Sequence, residues 1–174
     1  MSKEIDRRIA NGLKKYWAMK EIMKSRDLGM PIKSRVFNTC ILPCLTYGCE
    51  TWSLNLNHRT KLVTCQRAME RSIIGVKRKD RYSSHNIRNQ TRVIDILNKI
   101  GIQKWRWAGH LQRDRQEKWS KVVTNWYPRD GKRNRGRPYR RWEDHIKQTA
   151  GPNWRRVAHD RKQWRELEEA FANR

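Results

Sequence analysis

Apolar positions are sparse along this chain, and they fall into stripes at helical spacing. Between Lys3 and Ser25, residues Ile5, Ile9, Leu13, Tyr16 and Met23 recur at steps of three, four and seven, which predicts one amphipathic helix stopped by Asp27-Leu28-Gly29. Ser2 is placed to cap it, and Glu4 and Asp6 suit the positive end of its dipole. The stretch Arg35 to Leu54, RVFNTCILPCLTYGCETWSL, is different. Val36, Phe37, Cys40, Ile41, Leu42, Cys44, Leu45 and Tyr47 leave almost no polar face, so the helix they form must be covered all round, and other elements pack on it. Pro31 fits its first turn, while Pro43 is expected to kink or end it.

A second amphipathic helix is expected over about Asn57 to Ile74, with Leu62, Cys65, Met69 and Ile73 inward and Arg59, Lys61, Arg67 and Arg71 outward, closed by Gly75. Residues 76 to 91 read as a polar loop with at most one short helical turn. Thr91 then caps a helix running to about Gln112 that carries Val93, Leu97, Ile100, Trp107 and Leu111 and is weakened by Gly101. Lys118 to Trp126 is a short element of undefined type. A helix from Pro138 to Gln148 ends at Gly151-Pro152, and a last helix carries Trp154, Val157, Trp164, Leu167 and Phe171. No alternating strand pattern of useful length appears, so the class is all-α. The expected organisation is a small bundle over residues 1–75, a connector with Trp-containing helix over 76–128, and a basic loop with Trp-rich helices over 129–174.

Composition sharpens this picture. The chain has 174 residues with a hydrophobic fraction of 36%, low for a large core, and nine Trp residues partly offset the deficit. Charge is the strongest signal: 41 Lys and Arg against 17 Asp and Glu leave a formal +24. That surplus repels itself in a folded chain and calls for a polyanionic partner, RNA or DNA. Basic residues are spread along the whole length, and the apolar run is too short and polar to span a bilayer, so no membrane role is expected. Arg129 to Arg141, RDGKRNRGRPYRR, has seven basic residues in thirteen and no apolar anchor, which predicts an exposed basic loop. Within it Arg135-Gly136-Arg137-Pro138 has the form of an AT-hook core, for which plain phosphate binding and minor-groove readout are both open. Cys40, Cys44, Cys49 and Cys65 lack metal-site spacing and read as core thiols in a reducing compartment, nuclear or in a cytoplasmic ribonucleoprotein rather than secreted.

Candidate chemistry is thin. Asp144-His145 and His159-Asp160 are adjacent acid and imidazole pairs, but neighbours on a helix point to different faces. No phosphate-cradling glycine loop, nucleophile elbow or pair of metal-binding Asp residues occurs, so no catalytic residue, metal site or cofactor is assigned to this stretch.

In order along the chain come Leu42-Pro43 with Tyr47-Gly48-Cys49-Glu50-Thr51-Trp52, Gln66-Arg67-Ala68-Met69-Glu70-Arg71, Trp107-Ala108-Gly109-His110, Gly136-Arg137-Pro138 with Trp142, and Trp154 with Asp160-Arg161 and Trp164. This series resembles the C-terminal part of the reverse transcriptase protein of non-LTR (LINE-like) retrotransposons, most closely the RTE type, over about Ile5 to Phe171. The resemblance implies that residues up to about Gly75 correspond to the thumb, which grips template and primer. The remainder corresponds to a C-terminal basic region holding element RNA or target DNA during target-primed reverse transcription. It also implies that polymerase activity and its Mg2+ belong to a palm and fingers domain upstream of such a segment, with an endonuclease further upstream, so this stretch is not expected to be an enzyme on its own. Cys44, Cys49 and His159 depart from the family pattern.

The residues expected to touch nucleic acid are Arg67 and Arg71 on the thumb-like helix, Lys132, Arg133, Arg135, Arg137, Arg140 and Arg141 in the basic cluster, and Arg155 and Arg161 near the end. Trp105 is the candidate for base stacking, against the commoner fate of a Trp as a core ring. Two rival readings stand beside this one: a self-sufficient AT-hook-like DNA-binding or chromatin protein, and a retrotransposon remnant that does not fold alone.

Overall fold

The computed structural model describes residues 1–114, 116, 118–125 and 141–173. Among these, every regular element is helical, as the apolar stripes predict. The chain forms two compact units, Met1–Cys49 with Leu54–Ile100, and Glu50–Ser53 with Gly101–Arg174. Residues 76–100 therefore pack with the first bundle rather than forming a connector. Among the described residues no helix is long and apolar enough to cross a membrane.

The first unit opens with α1 (Ser2–Ala18) and α2 (Lys20–Lys24). The single helix expected to Ser25 is interrupted at Met19, and because the break keeps the phase of the stripe, Ile5, Tyr16 and Met23 still enter one core. Met1 rather than Ser2 is the N-cap of α1, and Ser2 Oγ instead meets His58 Nε2 at 3.0 Å. The central apolar stretch forms α3 (Met30–Val36), a π turn (Phe37–Ile41) and α4 (Leu42–Thr46). Pro43 has no N–H for the ladder, and the chain widens just before it so that the Leu42 N–H reaches back to Phe37 O. The kink expected at Pro43 is thus taken up as a π turn. Phe37, Ile41, Leu42 and Leu45 are fully buried. Gly12 lets α1 lie directly on them: a Cβ there would stand 2.3 Å from a Leu45 methyl.

Helix α5 (Leu56–Ile74) is capped by Asn55, whose side chain accepts from the His58 N–H, and ends at Gly75 in the left-handed region. Residues 76 to 91 hold more structure than their polarity suggests. A 3-10 turn at Arg78–Asp80 leads to α6 (Ser84–Thr91), capped by Ser83 and held in the bundle by Ile87. Thr91 ends that helix and does not cap the next. Asp95 has that role, with Oδ1 accepting from the Leu97 and Asn98 N–H groups at 2.9 and 3.0 Å at the start of α7 (Ile96–Arg113). The link between α6 and α7 is clamped by fully buried Gln66, whose amide donates to Ile94 O at 2.7 Å and accepts from Ile96 N at 2.8 Å.

The second unit is built on tryptophan. From α7 onward come α8 (Trp119–Asn125), α9 (Asp144–Ala150), α10 (Trp154–Val157), α11 (Arg161–Glu166) and α12 (Glu168–Ala172). The expected last helix is three short ones, because Asp160 turns extended and caps α11 by accepting from the Lys162 and Gln163 N–H groups. Trp105 and Trp164 stack at 3.8 Å with planes 9° apart, and each indole N–H donates to the other's backbone carbonyl, at 2.8 and 3.1 Å. Ala108, Ile146, Trp154, Ala158 and Phe171 complete the core. The segment 50–53 is tied in by Trp142 Nε1 donating to Glu50 O at 2.6 Å and Lys104 Nζ donating to Trp52 O at 3.1 Å.

Candidate nucleic-acid interface

Helix α7 has two contrasting faces. Trp105, Ala108, Leu111 and Gln112 point into the core, which leaves Arg106, His110 and Arg113 at steps of four and three on the other side. Helix α11 supplies Arg161 and Arg165 one turn apart, held in place by the Asp160 cap and the buried Trp164 between them. These two rows, with Lys118, line one cleft of ≈ 700 Å³ within the second unit. Five Lys and Arg side chains and one His meet two carboxylates there, Asp114 and Glu168.

The close approach of the two helices depends on Gly109, whose Cα faces the Trp164 indole edge. Arg106 forms a two-pronged pair with Glu168 at 2.9 and 2.7 Å, and Asp114 pairs with Lys118 at 2.8 Å. The Lys118 ammonium holds Asp114 below the usual carboxylate range, with help from the Gln116 N–H. Arg113 is in a different state. It donates to Ala158 O at 2.6 Å, but burial and the neighbouring Arg161 both work against its charge. Arg113 and Arg161 line the same cleft, and an anion that enters it offsets the repulsion between their charges; a phosphate suits the planar guanidinium donors. The cleft thus presents cationic donors suited to an anion such as phosphate.

Of the residues singled out from sequence, Arg161 lies in this cleft. Arg67, expected on an outward face, is only 8% exposed. Its guanidinium bonds Glu70 at 2.8 Å and lies 3.8 Å from Asp95, which also pairs with Arg88, so it braces the first unit and is not free for phosphate. Glu70 is fully buried, and burial outweighs Arg67 in setting its carboxyl above the ordinary range. Arg71 is half-exposed near the end of α5. Trp105 is 0% exposed, stacked on Trp164 and packed against Phe171 with its N–H engaged, which removes it as a base-stacking candidate. Arg155 pairs with Glu143 at 3.1 Å beside the Trp154 ring. Arg141 is exposed at the start of the turn into α9. Lys132, Arg133, Arg135, Arg137 and Arg140, with the AT-hook-like tetrad, lie outside the described residues. The acid and imidazole pairs resolve into turn chemistry: Asp144 accepts from Arg141 N at 2.7 Å, and Asp160 is the cap already described.

Sequence reasoning missed Arg106, His110, Arg113 and Arg165 as members of one site. Their spacing carried the signal, since a row at 106, 110 and 113 opposite buried Trp105 and Ala108 is a basic helix face.

No family model matches the chain, and no solved structure matches it. It is 30% identical over 146 residues to an uncharacterized transposon-derived protein of Caenorhabditis elegans, covering 76% of this chain and 52% of that protein. The chain thus spans about half the length of the relative it matches. The similarity supports an origin of this chain in a transposable element.

Proposed function

We propose that this chain is a nucleic-acid-binding part of a non-LTR retrotransposon reverse transcriptase protein, gripping template-primer, target DNA or element RNA during target-primed reverse transcription. The observation that carries the reading is the cleft between α7 and α11, lined by Arg106, Arg113, Lys118, Arg161 and Arg165 in a chain of formal charge +24. The order of motifs along the chain and the transposon-derived relative support the retrotransposon origin. In this reading the chain supplies grip and makes no bonds itself. Polymerisation and its Mg2+ belong to a palm and fingers domain of the larger protein, and contacts run to phosphates and sugars with little sequence preference.

Electrophoretic mobility shifts with the purified chain test this. At low ionic strength it is expected to retard an RNA–DNA hybrid and unrelated duplexes alike, with affinity falling steeply as salt rises. Failure to retard any of them would overturn the proposal. A clear preference for A·T-rich duplex that disappears in Arg137→Ala would favour a stand-alone DNA-binding protein instead.

A further inference from the structure

Next in sequence to the cleft-lining Lys118 stands a ring that the core does not use. Trp119 is 83% exposed, the most exposed large apolar side chain among the described residues, whereas Trp52, Trp105, Trp154 and Trp164 are buried. Leaving an indole in water forfeits the burial that makes Trp useful to a fold. The segment that carries it is nevertheless tied to the end of α7. Asp114 on the cleft wall accepts from Gln116 N at 3.1 Å and pairs with Lys118 at 2.8 Å, while its backbone carbonyl accepts from Lys121 Nζ at 3.1 Å. The segment that carries Trp119 is therefore tied to Asp114 at residues 116, 118 and 121, and Trp119 follows the cleft-lining Lys118 directly. No acidic residue occurs in α8, and Lys118 and Lys121 stand on either side of Trp119 in the sequence.

A backbone-tracking row of cations beside an exposed aromatic ring is the arrangement that takes a single strand, because an unpaired base offers a π face that a paired one keeps inside its stack. We infer that Trp119 stacks on an unpaired base of a single-stranded DNA or RNA whose phosphates lie in the Arg113 and Arg161 cleft. This rests on the nucleic-acid reading above and narrows it from duplex grip to capture of a strand end or an unpaired stretch.

Fluorescence anisotropy of the full chain with end-labelled oligothymidylate and with a blunt hairpin duplex of equal phosphate number separates the possibilities. Trp119→Ala is expected to weaken oligothymidylate binding roughly five- to a hundredfold, with an unchanged salt slope and duplex affinity within about twofold; Trp119→Phe keeps most of the binding. Equal losses on both ligands, or no loss on oligothymidylate, would overturn the stacking role while leaving the cleft reading intact. If the unsubstituted chain bound neither ligand, both readings would fall. If Trp119→Ala left both ligands unaffected but abolished capture of a protein partner, α8 would be a protein-docking face and the inference wrong.

Discussion

Gly109 sits inside α7, where alanine ordinarily adds about 1 kcal/mol of helix stability. Here the sign should reverse. A Cβ at this position would lie 2.4 Å from Trp164 Nε1, 2.7 Å from its Cδ1 and 2.9 Å from Arg113 Nη1. The indole cannot swing aside freely, since it is stacked on Trp105 and its N–H is spent on Trp105 O at 3.1 Å. Making room stretches or breaks a buried hydrogen bond, about 1–3 kcal/mol, and disturbs a stacked aromatic pair, about 0.5–1.5 kcal/mol. Set against the propensity gain, Gly109→Ala should destabilise the second unit by roughly 1–3 kcal/mol. For a unit under a hundred residues each kcal/mol moves the midpoint by about 4–8 °C, so a fall of roughly 5–20 °C is expected. Thermal melts followed by near-ultraviolet circular dichroism report the stacked indoles directly. A Tm equal to or above that of the unsubstituted chain would show that Gly109 does not set the spacing between α7 and α11.

Removing the α11 cap by Asp160→Ala leaves the Lys162 and Gln163 N–H groups without their acceptor; it should cost about 1 kcal/mol in chemical denaturation and also weaken nucleic-acid binding, because Arg161 and Arg165 ride on that helix. In the first unit, burial holds the Glu70 carboxyl above its unfolded value, so the native state binds the proton more readily than the unfolded chain. Its contribution to stability is then present at low pH and is lost as pH rises through the raised folded value. Glu70→Gln does not titrate, so the stability advantage of the unsubstituted chain over this variant should shrink in urea melts as pH rises above the ordinary Glu value of about 4.3, and an advantage that grows with pH would contradict the burial argument.

Helix class and much of the core could be read from spacing alone. Ile5, Tyr16 and Met23, then Leu62, Met69 and Ile73, then Trp164 and Phe171, all fall on predicted stripes and are buried. Stripes could not report breaks that preserve their phase, which is why Met19 and the Ala158 to Asp160 turn went unseen. Residues 78–91 looked like loop because α6 commits only Ile87 and Thr91 to the interior. Arg67 was misjudged for another reason. A helical wheel sees the residue's own helix, whereas its second acid, Asp95, arrives from 28 positions downstream. The cleft was half legible: the basic rows at 106, 110, 113 and at 161, 165 are in the sequence. That they face one another depends on a glycine opposite a tryptophan, 55 residues apart.

The central claim is that the α7 and α11 cleft engages phosphates, and the dependence of affinity on salt measures this most directly. For the double variant Arg161→Gln with Arg165→Gln, the slope of log affinity against log salt on duplex DNA should fall by about 1.8, since each phosphate contact contributes about 0.9. An unchanged slope and affinity in a variant with an unchanged Tm would contradict the account.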